Sequence, residues 1–435
     1  MRNYSKLGGT EVDYQEMRML GRTQQLNRNV RFISTLGFAC TLMSTWEIAL
    51  MTSFFGLING GTACLVWGYF IVWLGYMLVF ATIAEMASMA PTSGGHCQKF
   101  VSYLVGWTSV LGWQTGLASL AFLVGTMIGG LLVLDNHNYV FERWHGTLLV
   151  IAITAFCIIF NTVLARKLPM VEGLVLIIHI LRFLAVLIPL WVLAPRNSPK
   201  VVFPNSAVHM AEEIKDASIV LPRAIIIVFE ILETPTHYPF IQVFYNVTQS
   251  KAGTSIMTAI IIVNITSACI STVATVSRQT WSFARDKGLP LPSFIAHVKP
   301  GWNIPLNVVL LTFAITNLLS LINIGSTVAF NAIGSLAVSA ILGTYIISFS
   351  LGSAGIFINI GAVCFLLVVW VFIFFPIEKE VIAETMNWNV VMFCGTMIFA
   401  VVYNLVIGKK KYTAPVDLVK RELYGLLRYC LGIIS

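Results

Sequence analysis

The sequence is poor in charge. Only 11% of its 435 residues are Asp, Glu, Lys or Arg, against roughly 25% in a soluble domain. With 57% hydrophobic residues, that shortage excludes an ordinary soluble enzyme, a disordered chain and a collagen-like one, and points to an integral membrane protein. The eight cysteines stand at 40, 64, 97, 157, 269, 364, 394 and 430, six of them inside apolar runs, and no CxxC occurs. That pattern excludes a disulfide framework and a zinc site of the usual spacing. A P-loop is lacking, which leaves ATP-driven pumping without support, and no Ser/His/Asp or metal-ligand constellation is present. Neither an enzyme nor a cofactor or bound metal is therefore expected. No cleavable leader is expected either: the first 33 residues are polar, so the first apolar run is expected to act as an uncleaved anchor.

The net charge of +8 does not point to nucleic acid, because no basic stripe with interleaved aromatics exists. Basic residues gather at the ends of apolar runs, where they set topology. Eleven Trp, 28 Phe and 32 Gly suit helices in a bilayer. About 20 apolar residues cross the ~30 Å of hydrocarbon, and ten runs qualify: 34–57, 63–88, 105–134, 146–164, 168–193, 254–276, 303–323, 327–350, 354–376 and 387–408. Their continuous apolar character argues for helices over a barrel of alternating strands. Connections are short, such as Gly56 to Gly61. Nineteen of the 27 Lys and Arg residues fall on one set of alternate connections and the two tails, which predicts both termini in the cytosol. The expected division is a cytosolic tail over 1–33, a transmembrane domain over 34–408 and a cytosolic tail over 409–435.

The stretch 194–253 is irregular. A polar segment, 204–217, precedes an apolar run from Ile219 to Leu232 that Pro222, Arg223 and Glu230 interrupt. Fourteen helical residues reach about 21 Å, short of a bilayer, so an incomplete or re-entrant pair of helices is expected here. Asn246-Val-Thr248 fits a glycosylation sequon on a non-cytosolic loop, whereas Asn264-Ile-Thr266 lies inside a span and is expected to be inaccessible.

An ionisable residue in hydrocarbon is a functional candidate. Glu47 lies within the first span, preceded by Gly37, Thr41, Ser44 and Thr45. Small and hydroxyl-bearing residues are what a helix needs if it unwinds to expose backbone to a substrate; the alternative is close helix packing with Glu47 bonded inside the bundle. Gln114 is a polar island in the third span, either lining a cavity or bonding between helices. Arg182 lies about fourteen residues into the fifth span, too deep to snorkel easily. It must pair with a carboxylate, face water, occupy the place of a coupling cation, or mark a distorted span. His209, Glu212 and Glu213 form the densest ionisable cluster; His209 and Glu213 share a helical face and suit either a proton relay or a solvated helix end. Glu85 reads as a cap at a membrane surface.

Four segments carry a family resemblance: Leu36-Gly-Phe-Ala-Cys-Thr-Leu-Met-Ser-Thr-Trp-Glu47, Glu85-Met-Ala-Ser-Met-Ala-Pro-Thr-Ser-Gly-Gly95, Ser206-Ala-Val-His-Met-Ala-Glu-Glu-Ile-Lys-Asp-Ala217 and Ser277-Arg-Gln-Thr-Trp-Ser-Phe-Ala-Arg-Asp-Lys-Gly-Leu-Pro290. The chain resembles the amino acid–polyamine–organocation (APC) permeases, in the fungal group with GABA, choline and amino acid permeases, from about residue 30 to Glu422. The resemblance implies an all-α integral membrane protein of the LeuT-type fold: inverted five-helix repeats, two further helices, and first and sixth helices broken near the midplane around the substrate. It maps Ser44, Thr45, Trp46 and Glu47 to the first break and residues Ser206 to Glu213 to the second half of helix six, making Ser206 and His209, with Gln114, substrate-binding candidates. It implies secondary transport of an amino acid, GABA or a choline-like amine by proton symport and alternating access, with Glu47, Arg182, His209, Glu212 and Glu213 as proton-coupling candidates. The expected partners are that small molecule, protons and the lipid bilayer, and the plasma membrane is expected over the vacuole.

The chain departs from the family in places. His96-Cys97 replaces the usual continuation after Gly95. Parts of helices six and seven are missing before Pro204 and after Ala224, leaving about ten full spans of an expected twelve. A basic loop near Gly352 is gone. A truncated, non-transporting membrane protein is the alternative reading.

Overall fold

The computed structural model describes residues 32–89, 99–136, 138–164, 168–194, 238–298, 304–325, 328–350, 356–376 and 386–414, with a few isolated positions besides. Every regular element among them is a helix, as expected where the surroundings offer the backbone no hydrogen-bond partners. The elements are α1 (Phe32–Met43), α2 (Thr45–Met89), α3 (Lys99–Asp135), α4 (Arg143–Val163), α5 (Leu168–Leu193), α6 (Pro239–Thr248), α7 (Lys251–Arg285), the single turn α8 (Pro292–Ile295), α9 (Leu306–Gly325), α10 (Val328–Phe349), α11 (Ile356–Phe372) and α12 (Asn389–Tyr403). Beyond α12 the chain passes through a wider π turn, Asn404–Gly408, into the basic turn Lys409–Lys411.

All ten apolar runs are helical, and nine helical stretches among the described residues are long and apolar enough to cross a membrane. The tenth, Ile356–Phe372, has 17 residues and reaches about 26 Å. The expected connection at Gly56 to Gly61 is a tight reversal inside the 45-residue element α2: a Cβ on Gly56 would stand 3.9 Å from the Cα of Leu65, nine residues on, a separation of about 13 Å in a straight helix. Gly61 takes φ 66, a conformation open to glycine. It interrupts regular α geometry between the two apolar spans Phe32–Ser53 and Gly61–Ala87. In the irregular stretch, the described part is α6, a ten-residue helix ending in the 246–248 sequon; residues 195–235 lie outside the described residues.

α3 is the axis of the bundle, packing against α10, α7, α4 and α9, while α1 lies on α5 and α7. Glycine allows the close approaches. A Cβ on Gly112 would stand 3.1 Å from the backbone nitrogen of Ile341 and 3.2 Å from the carbonyl oxygen of Ala337 on α10. One on Gly125 would stand 3.4 Å from the carbonyl oxygen of Gly146 on α4. Helices in lipid gain from such contact through van der Waals packing, because lipid already solvates apolar surface. Around this axis lies the main apolar core, with Leu117, Val124 and Met127 of α3, Val150 and Cys157 of α4, Phe244 of α6, and Ile261 and Ile265 of α7.

Two ends of the bundle can be told apart by their ties. Lys99 Nζ donates to the carbonyl of Lys409 at one end. At the other, Ser255 Oγ donates to Asp135 (3.1 Å) and Asn323 Nδ2 to the carbonyl of Arg143 (3.0 Å). The outward faces are apolar: Trp67, Phe70 and Ile71 on α2, and Ile177, Leu181 and Trp191 on α5, are exposed. So much contiguous apolar surface belongs against lipid.

The packing makes opposite predictions for two glycines. Gly112→Ala is expected to destabilise the protein by about 1–3 kcal/mol through overpacking against α10. At Gly173 on α5 a Cβ meets nothing within 4 Å, so Gly173→Ala is expected to be neutral or stabilising by up to about 1 kcal/mol. Thermal unfolding of the purified variants in one detergent reads both.

Candidate functional site

The first apolar run is interrupted within the bundle. α1 ends at Met43, Ser44 takes φ 39, and α2 starts at Thr45. A non-glycine residue in this left-handed region costs of order 1–3 kcal/mol and persists only where surroundings enforce it. Here the local bonds hold it. The amide of Ser44 donates to the carbonyl of Cys40 (3.3 Å), the amide of Ile48 donates to the carbonyl of Ser44 (3.0 Å), and Ser44 Oγ donates to the carbonyl of Thr41 (3.0 Å). The hydroxyl that sequence reasoning valued for exposing backbone therefore bonds it. The break leaves a helix N-terminus inside the bundle, and its N–H groups and dipole favour negative charge there.

Glu47 sits in that first turn and is fully buried. Facing it is α5. His179 Nδ1 lies 3.4 Å from Glu47 Oε1, with His179 itself largely buried. One turn further along α5, Arg182 Nη1 donates to Asn264 Oδ1 of α7 at 2.6 Å. Arg182 and Asn264 both stand close enough to Glu47 to act on its charge. Trp46 closes the cluster with its ring edge to Phe183 (centroids 5.6 Å apart) and tilted against His179 (6.2 Å).

The polar groups here are not satisfied by one another. Thr41 Oγ1, Trp46 Nε1, both carboxylate oxygens of Glu47 and Asn264 Nδ2 are buried with no hydrogen-bond partner among the described residues. Leaving a buried polar group unpaired costs about 1–3 kcal/mol, and more for a charge. Five such atoms on three neighbouring elements mark a place built to receive polar or charged groups. Donors (an indole N–H, a carboxamide and the helix N-terminus) stand beside an acceptor carboxylate and a fixed guanidinium. The arrangement has partners for a carboxylate, an amine and a proton.

The sequence candidates are distributed unevenly. Ser44, Trp46, Glu47 and Arg182 come together here. Thr45 is exposed, on a different side of the same turn. Gln114 occupies another junction, between α3, α7 and α9, where Nε2 donates to Thr280 (3.2 Å) and Thr312 (3.1 Å); of the two roles open to it, interhelical bonding is the one seen. Arg182 has a carboxamide as its direct partner, with the Glu47 carboxylate nearby. Ser206, His209, Glu212 and Glu213 lie outside the described residues. Sequence reasoning missed His179 and Asn264. The signal for His179 was its place three residues before Arg182 in an otherwise apolar span, which puts both on one face. Asn264 was noticed only for its sequon; it is buried, as expected for that position.

An apolar helical bundle of this span number, with a polar helix break inside it, is the architecture of a multi-pass membrane protein. The amino acid permease family profile matches residues 30–205 and 219–399, and the chain belongs to that family. It is 25% identical to the GABA-specific permease of Saccharomyces cerevisiae, over 94% of this chain and 89% of the relative. It is 24% identical to the choline transporter of the same yeast, over 89% and 83%. To an uncharacterized amino-acid permease of Schizosaccharomyces pombe it is 23% identical, over 91% and 88%.

Asn264→Leu removes the carboxamide that holds Arg182 and leaves a guanidinium unpaired in the bundle. The expected loss is about 1.5–3 kcal/mol, the worth of a hydrogen bond to a charged group, read as a lowered melting temperature in detergent. Asn264→Gln, which keeps the carboxamide, is expected to lose less.

Proposed function

We propose that this permease is a secondary active transporter of an amino acid or a related amine, GABA and choline included, working by alternating access and proton symport. The observation that supports it most is the break at Ser44 with the fully buried Glu47, 3.4 Å from His179, in the turn that follows. A buried carboxylate short of hydrogen bonds is costly, and a symport cycle supplies compensation: a substrate amine against the carboxylate and a coupling proton in the same cluster. The N-terminus of α2 and the Arg182–Asn264 pair suit a substrate carboxylate. In this reading Ser44, Trp46 and Glu47 contact substrate, Arg182 balances charge, and Ser206, His209, Glu212 and Glu213 complete the opposite wall. Both termini face the cytosol, and the protein resides in the plasma membrane.

A second reading has an observation of its own. The alignment with the Schizosaccharomyces pombe permease runs over 479 positions, more than the 435 residues of this chain, so the relative carries segments that this chain lacks. The family match also skips 206–218, where the resemblance places half of the sixth helix. A wall of the site shortened in this way suits a membrane protein that no longer transports.

Uptake separates the two. In a transporter-deficient cell, with surface delivery verified, labelled GABA, several amino acids, choline and a polyamine are offered at two external pH values. Saturable uptake of one compound, stimulated by acid, is expected. Glu47→Gln is expected to abolish it while leaving insertion intact. No uptake of any compound by a correctly inserted protein would favour the non-transporting reading.

A further inference from the structure

We propose that the coupling proton of this permease is held by a two-residue site, Glu47 with His179, and that His179 is the member through which the proton enters and leaves. The inference rests on the transport reading above and adds a residue that neither the sequence motifs nor the family comparison singles out.

Geometry carries it. The two groups are 3.4 Å apart and on different elements, Glu47 on the first turn of α2 and His179 on α5. Glu47 has no solvent exposure of its own, whereas the His179 side chain retains 12%. Of the two, the imidazole is the member that retains exposure, and its two nitrogens let it accept a proton on one while giving up a proton from the other. The side chains around them leave the pair to itself. Trp46 and Phe183 wall it with rings. Asn264, from α7, is neutral, and its Oδ1 is taken by Arg182. Among the described residues, Arg182 is the other charge acting on both members.

That guanidinium sets the charge balance. With Glu47 ionised, Arg182 charged and His179 neutral, the cluster carries no net charge. Loading adds one proton from water on one side, as an N–H bond on the imidazole or an O–H bond on the carboxylate, and one positive charge. No electrons move, and the proton returns to water on the other side. A net positive charge in a low-dielectric bundle is costly; the carboxylate of an amino acid or of GABA at the N-terminus of α2 offsets it locally, with the ammonium of the same molecule against Glu47. Proton and substrate thus favour each other's binding, and by linkage the effect is reciprocal. Because the pair bridges α2 and α5, its protonation also biases how those helices meet.

The test uses the full-length protein in proteoliposomes with an internal pH dye and the substrate identified by uptake. Two readouts are taken: exchange of labelled for unlabelled substrate, which needs no net proton movement, and accumulation driven by an imposed pH gradient. For His179→Gln, gradient-driven accumulation and proton influx are expected to fall about 10-fold or more, and by much more than exchange does. Apparent affinity in the variant is expected to lose its dependence on pH. Retained gradient-driven accumulation with proton influx would overturn the proposal and leave the transport reading standing. Loss of exchange along with accumulation, in both His179→Gln and His179→Asn, would overturn it by making His179 a binding or structural residue. Absence of exchange in the parent protein would remove the transport reading itself.

Discussion

A carboxylate inside an apolar bundle is the constraint from which most of this structure follows. Glu47 cannot reach water, and its desolvation is paid for only if nearby groups, or transient ones, compensate it. The fold supplies some compensation: a helix N-terminus at the break, an imidazole 3.4 Å away and a guanidinium held by Asn264. Its remaining hydrogen-bonding capacity is unfilled. Gln114 differs in that its Nε2 is bonded to Thr280 and Thr312 across two helices, though its Oε1 is also without a partner among the described residues.

The surroundings divide labour. α3 makes the closest backbone approaches through glycine and anchors α4, α7, α9 and α10. Such an axis holds its geometry because interiors packed at this density resist small shifts. α1 packs on α5 and α7, and the start of α2 meets α5 through Glu47 against His179 and Trp46 against Phe183. The charged contacts thus lie on the seam between the broken helix and its neighbours, where a change of protonation acts on helix position.

Much of the fold was legible in the sequence because hydrocarbon imposes one requirement on every span: a continuous apolar run that bonds its own backbone. All ten runs are helices. The connection at Gly56 to Gly61 was legible from its glycines, and the chain reverses there through the positive φ of Gly61, bringing Gly56 against Leu65. The break at Ser44 was readable from small and hydroxyl residues before Glu47. The partners of Glu47 were not, because they come from α5 and α7, more than a hundred residues away along the chain. Periodicity places residues on faces but does not say which faces meet. His209, Glu212 and Glu213, prominent in the sequence, fall outside the described residues, so the site is described from the α2, α5 and α7 side.

The central claim is that substrate binds at the helix break, against Glu47. The most direct measurement is a cryo-electron microscopy structure in a lipid nanodisc with the transported compound bound. Density for that compound is expected against the first turn of α2, within hydrogen-bonding distance of the Glu47 carboxylate and the Asn264 carboxamide. Density for a transported substrate elsewhere in the bundle, with Glu47 still 3.4 Å from His179 and touching nothing new, would contradict it.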